Sequence, residues 1–181
     1  MQKEFCQSVI EYFEENQENQ IIRNIPDFYN FSEIDIPNIY NVLKLLNKEI
    51  PHNTSDIINY FYNSCNSIVN DYKSTLQIHN KQFPDVYNYE NCRIKKYNKG
   101  EGFFSEHVDV RNYETAKRFL VIILYLNDVE EGGETNFPDY GISIKPSCGD
   151  VLVFPSTWTH LHQGNKPISS DKYILGTYLQ Y

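Results

Sequence analysis

Apolar residues recur at helical spacing over the first 80 or so positions and at strand spacing after them. Residues 2–15 place Phe5, Val9, Tyr12 and Phe13 three to four apart, which predicts an amphipathic helix. Pro26 and Pro37 punctuate a loop. Ile39, Val42, Leu43 and Leu46 then predict a short helix that ends before Pro51. The clearest helix opens at the capping candidates Asn53, Thr54 and Ser55. Its Ile57, Ile58, Phe61, Cys65, Ile68, Val69, Tyr72 and Leu76 form one stripe, the face expected to pack on a core.

After Asp85 the pattern changes to short β-rich runs: Cys92–Tyr97, Phe103–Val108, Arg118–Leu126, Thr135–Phe137, Ile142–Ile144, Val151–Phe154, Thr159–Gln163 and Tyr173–Gln180. Turn residues stand between them, among them Asn98-Lys99-Gly100, Glu131-Gly132-Gly133 and Pro146-Ser147-Cys148-Gly149. So many short strands in one half of the chain predict a double-sheet jelly roll. With the helices on one sheet, the fold class is α+β: residues 1–85 a helical support region, residues 86–181 the jelly-roll core, together one structural unit.

Composition narrows the class. The chain has 181 residues, of which 15 are Tyr, 11 Phe and 1 Trp, enough aromatic mass for a core. The longest apolar run, Phe119 to Leu126, is too short to span a membrane, and residues 1–20 lack a signal-peptide pattern; the expectation is a cytoplasmic protein without membrane contact. A net charge of -8 and no basic run longer than Arg93-Ile94-Lys95-Lys96 argue against duplex nucleic acid. Cys6, Cys65, Cys92 and Cys148 are widely spaced and read as free thiols. A single Ala (Ala116) beside abundant Asn, Ile, Lys and Tyr fits an AT-rich genome, viral or other.

Three of the five histidines carry the candidate chemistry. His107-Val108-Asp109 has the i, i+2 spacing that puts an imidazole and a carboxylate on one face of a strand. His160-Leu161-His162 repeats that spacing with two imidazoles. A jelly roll brings distant strands together, so two His and one Asp can meet on a metal ion with one face left open. Adding the second His of the later pair would instead close a zinc site, and histidines at a strand end need bind nothing. Lys172 opens the last apolar strand. If it points inward it needs an anion, such as a dicarboxylate.

With these residues in place, the segment 92–180 resembles the Fe(II)/2-oxoglutarate dioxygenases of the prolyl 4-hydroxylase type. The resemblance rests on His107-Val108-Asp109, on His162-Gln163-Gly164 and on Lys172 ten residues later. It rests also on the lead-in Tyr97-Asn98-Lys99-Gly100-Glu101-Gly102-Phe103, on Tyr125-Leu126-Asn127-Asp128, and on Glu131-Gly132-Gly133-Glu134-Thr135. It implies a double-stranded β-helix with Fe(II) on His107, Asp109 and His162, with His160 the alternative to His162 as the distal ligand. It also implies Lys172 on the distal carboxylate of 2-oxoglutarate, with Tyr97 and Tyr125 lining that pocket.

The implied reaction uses O2, with ascorbate as a reductant. It couples decarboxylation of 2-oxoglutarate to succinate and CO2 with hydroxylation of a C–H bond, peptidyl proline first. A free amino acid or another small molecule is the alternative substrate, and a non-catalytic, cupin-like metal-binding jelly roll the alternative class. His160 and Thr177 are expected to line the cavity, because the family often has Thr or Ser where Gly176 stands and Thr177 follows it. Arg118 reads as a surface or sheet-edge charge. Substrate loops are expected at residues 109–117 and 127–141, with Arg111, Tyr113, Glu130, Glu131 and Tyr140. The sequence does not set the oligomeric state.

Overall fold

In a computed structural model that describes residues 3–181, three helices cover one face of an eleven-stranded antiparallel sheet. The helices are α1 (Lys3–Glu15), α2 (Ile36–Leu45) and α3 (Thr54–Thr75). The strands are β1 (Ile21–Ile25), β2 (Tyr29–Asp35), β3 (Asn88–Tyr89), β4 (Arg93–Tyr97), β5 (Phe103–His107) and β6 (Arg118–Tyr125). They continue with β7 (Thr135–Phe137), β8 (Ile142–Ile144), β9 (Val151–Pro155), β10 (His162–Gly164) and β11 (Lys172–Gln180). Hydrogen-bonded neighbours run β8-β7-β10-β5-β2-β4-β11-β6-β9, with β1 on β2 and β3 on β11. The sheet curls on itself as a double-stranded β-helix, and the α+β jelly roll is the observed fold.

Strand parity divides the residues between two environments. On β11, Tyr173, Leu175 and Leu179 join Ile94 of β4 and Leu120, Ile122 and Leu124 of β6 in the main core, where they meet Phe13 of α1 and Phe61, Cys65 and Val69 of α3. The opposite parity, with Lys172, Ile174, Tyr178, Lys95, Tyr97 and Tyr125, faces the interior of the curl. There Phe31, Tyr97, Tyr125 and Ile174 form a second cluster. Glu14 at the end of α1 fastens this layer to the sheet: its Oε1 accepts from Tyr173 Oη at 2.7 Å and from Lys96 Nζ at 2.9 Å.

The helical reading of residues 1–85 needs one correction. Where Pro26 and Pro37 were read as punctuating a loop, residues 21–35 form the β1–β2 hairpin, and β2 lies inside the sheet between β5 and β4. Asp27 turns the chain with φ 61, and Phe28 N–H donates to the Ile25 carbonyl at 3.0 Å. β1 is exposed along its whole length, so it shows no alternation, and that is why the pattern failed there. The short β3 was also missed.

Candidate active site

The ends of β5 and β10 carry the candidate ligands. His107 closes β5, His162 opens β10, and the two are direct partners in the antiparallel register. Asp109 lies just past the strand end in a bend, so the strand geometry expected for His107-Val108-Asp109 holds only for its first residue. The bend nonetheless brings the carboxylate in. One ligand atom from each of His107, Asp109 and His162 lies within 4.8 Å of the others.

Each imidazole is oriented by a backbone carbonyl. His107 Nδ1–H donates to the Ser105 carbonyl at 2.7 Å and His162 Nδ1–H to the His160 carbonyl at 3.0 Å. That fixes both rings as the tautomer whose bare Nε2 points at Asp109, 4.0 Å from Oδ1 for His107 and 3.6 Å from Oδ2 for His162. Phe104 stacks on His107 with 3.5 Å between centroids. Burial, reinforced by the neighbouring His162, lowers the His107 pKa to about 4 against the opposing pull of Asp109, so this ring is neutral at pH 7.

Asp109 is held from one side only. Tyr178 Oη donates to Oδ1 at 2.7 Å and Arg118 Nη1 reaches the Asp109 carbonyl at 3.4 Å. Oδ2 is buried with no hydrogen-bond partner. A buried carboxylate oxygen left bare is costly, and a cation between it and two Nε2 atoms would satisfy it. Two neutral imidazoles and one carboxylate on one side of an ion are the donor set of open non-haem Fe(II) sites, so these residues fit such an ion.

The triad opens on a cavity of about 610 Å³, and Lys172 stands in its wall. Lys172 is 3% exposed, its Nζ donates to the Gly133 carbonyl at 2.6 Å, and it lies 5.4 and 5.5 Å from the Tyr97 and Tyr125 ring centroids. Burial lowers its pKa to about 7, only partly opposed by Glu134. Tyr125 Oη donates to Thr135 Oγ1 at 2.8 Å, and the Tyr97 ring lies beside the ammonium. Thr177 borders the cavity, but its hydroxyl is donated to the Glu90 carbonyl at 2.7 Å.

Two expectations are corrected by this geometry. His160 does not line the cavity. It precedes β10 rather than sharing a strand face with His162, and its ring lies against Tyr140 while Nδ1 meets Thr159 Oγ1 at 2.9 Å. What it gives the site is its carbonyl. Arg118 is not a surface charge: it lines the cavity, binds Glu90 through Nε at 2.6 Å and Nη2 at 2.8 Å, and lies 3.9 Å from the Tyr178 ring centroid.

Of the expected substrate loops, 109–117 borders the cavity through Asp109, Arg111, Asn112, Glu114 and Thr115, whereas Thr135 alone does so from 127–141. Sequence reasoning also passed over Tyr178 and Lys95. Parity was the signal available for both: Tyr178 is six residues beyond Lys172 on one strand, and Lys95 two before Tyr97 on another.

Comparison with known proteins gives the class. Residues 92–180 match the family model described as the 2OG-Fe(II) oxygenase superfamily, so this half of the chain is a 2OG-Fe(II) oxygenase domain. Within that class it is prolyl 4-hydroxylase-like. The chain is 34% identical to probable prolyl 4-hydroxylase 9 of Arabidopsis thaliana over 49% of its own length and 39% of that protein. It is 29% identical to prolyl 4-hydroxylase 13 of the same plant over 51% of its length and 43% of that protein. The chain thus spans about two fifths of these relatives. The fold is shared with the viral collagen prolyl hydroxylase of Paramecium bursaria Chlorella virus-1, solved as a 2OG complex (TM-score 0.68, 20% identity, 99% of this chain and 91% of that one). It is also shared with a Trichoplax adhaerens prolyl hydroxylase solved with a hypoxia inducible factor peptide (TM-score 0.72, 14% identity, 98% and 76%).

Proposed function

We propose that the protein is an Fe(II)- and 2-oxoglutarate-dependent dioxygenase that hydroxylates peptidyl proline. The observation that carries this reading is the bare Asp109 Oδ2 clustered with two carbonyl-oriented imidazoles, on a cavity whose wall holds a buried lysine. Names of the relatives supply the substrate class: each is a prolyl hydroxylase, and one was solved with a peptide.

In this reading His107, Asp109 and His162 hold the iron, and Tyr178 with Arg118 keeps Asp109 in place. Lys172 leaves the Gly133 carbonyl, or shares it, to make a charge-assisted hydrogen bond to the distal carboxylate of 2-oxoglutarate, with Tyr97 beside it. Bound iron supplies activation of O2 coupled to oxidative decarboxylation of the cosubstrate, and ascorbate serves as a reductant. The protein orients the cosubstrate and lines the pocket with Phe31, Tyr97, Tyr125 and Ile174, which keep water away from it.

The test is an anaerobic titration with Fe(II) and 2-oxoglutarate, followed by the visible metal-to-ligand charge-transfer band. The band is expected in the wild type and in His160→Ala and absent in His162→Ala. A proline-containing peptide is then expected to gain 16 Da only when both cofactors and O2 are present. Bound iron without a band in the wild type would return the protein to a metal-binding jelly roll.

A further inference from the structure

The chain is acidic, yet its cavity is bordered by Arg23, Arg93, Lys95, Arg111 and Arg118 besides Lys172. Most of these charges have partners. Arg23 lies 2.8 Å from Glu33, Arg93 lies 3.5 Å from both Asp35 and Glu90, and Arg118 binds Glu90. Lys95 and Arg111 differ. Among the described residues neither side chain has a carboxylate within ion-pair distance, although Glu33 and Glu114 also border the cavity.

Both cations rest instead on aromatic rings. Lys95 Nζ is 4.9 Å from the Phe31 centroid and 5.9 Å from that of Phe104; Arg111 Cζ is 5.0 Å from that of Phe28. These rings form one wall, with Phe28 5.5 Å and Phe31 5.8 Å from Phe104, and Phe104 is the ring stacked on His107. The wall therefore runs from the candidate ligands to two unpaired cations. Lys95 is also distinct from the cosubstrate anchor: on β4 it pairs with Ile174, two residues along β11 from Lys172, a displacement of about 7 Å.

We propose that Lys95 and Arg111 form a carboxylate subsite for the substrate, so that the carbon hydroxylated lies next to an acidic group. This rests on the dioxygenase reading and names its substrate class. The rings give the flat apolar contact, and the carboxylate gives each cation the hydrogen-bonded anion that the protein does not provide. Two sources share that chemistry: the side chain of Asp or Glu adjoining the target proline in a peptide, or the carboxylate of a free amino acid. Burial lowers the Lys95 pKa, largely by loss of solvent and against the pull of Glu33 and Asp109, and a bound carboxylate would reverse this.

The experiment compares matched probes on the Fe(II)- and 2-oxoglutarate-loaded protein: capped Pro-Glu and Pro-Gln peptides for the first source, L-proline and L-prolinamide for the second. The wild type is expected to favour the charged member of one pair by about tenfold or more in kcat/KM. Lys95→Met and Arg111→Gln should each abolish that preference, while Lys95→Arg should retain it, and affinity for 2-oxoglutarate should stay within about twofold throughout. Equal handling of charged and neutral probes, including none of either, overturns the subsite. So does a Lys95→Met variant that loses 2-oxoglutarate itself, because Lys95 would then belong to the cosubstrate end. If the wild type binds no 2-oxoglutarate at all, the dioxygenase reading has failed, and that outcome is distinct from loss of the preference alone.

Discussion

Tyr178 shows how much of the candidate site depends on residues outside the three ligands. Its hydroxyl satisfies Asp109 Oδ1 and so turns Oδ2 toward the imidazoles. Tyr178→Phe should weaken Mn(II) binding by about 10- to 100-fold while the protein stays folded; electron paramagnetic resonance titration reads the first and far-ultraviolet circular dichroism the second. Unchanged Mn(II) affinity would mean the backbone alone places Asp109. Lys172 gives a second expectation at this scale. Its pKa of about 7 lies far below the ordinary lysine value, and a dicarboxylate binds the charged form best. Affinity for 2-oxoglutarate should therefore be highest below pH 7 and fall as pH rises above it, with a proton taken up on binding near pH 8. Calorimetry in buffers of different ionisation enthalpy measures that proton, and Lys172→Met should show neither affinity nor uptake. The three candidate ligands and Lys172 could be singled out because their order and spacing along the chain resemble a family pattern, which does not depend on each residue lying on a strand. The role of His160 was not, because it acts through its carbonyl, and a backbone atom leaves no mark on residue identity.

At the scale of elements, the pattern revealed the strands that two layers bury, and short turn-bounded ones such as β8 as well. β6 and β11 alternate between the helix-packed core and the cavity and carry strong β-formers on both faces. β1 buries nothing, and β2 is read correctly only once its neighbours are known; the single early sign was the Pro26-Asp27 turn between two apolar runs. Loops can be as exacting as strands. Gly132 has φ +73, and a Cβ there would collide with the Lys166 carbonyl and with Ile168. The next residue offers its carbonyl to Lys172 and its N–H to the Lys166 carbonyl at 2.9 Å. Gly132→Ala should therefore shift the Gly133 carbonyl and raise the KM for 2-oxoglutarate several-fold, with Mn(II) affinity unchanged because the triad lies on other elements. A variant with the wild-type KM would show that the loop adapts without moving Gly133.

For the molecule as a whole, the question is whether the metal holds the fold or only uses it. The main core joins α1, α3 and the sheet through Phe13, Phe61, Ile94, Ile122 and Leu175, all fully buried, and it forms without any of the triad residues. Burial on that scale far outweighs what one ligand site adds, and the triad residues are already oriented by Ser105, His160 and Tyr178 without an ion. Chelation should therefore leave the protein folded, unlike small domains whose structure depends on zinc. Adding Mn(II) and 2-oxoglutarate, each at about 100 times its dissociation constant, should stabilise the folded state by about 2.7 kcal/mol per ligand. For a chain of this size that raises Tm by about 10 to 20 °C for the pair. Scanning calorimetry with and without EDTA decides the matter. A cooperative transition that disappears on chelation would make the metal part of the core, and the placement of the site on a self-sufficient jelly roll would then be wrong.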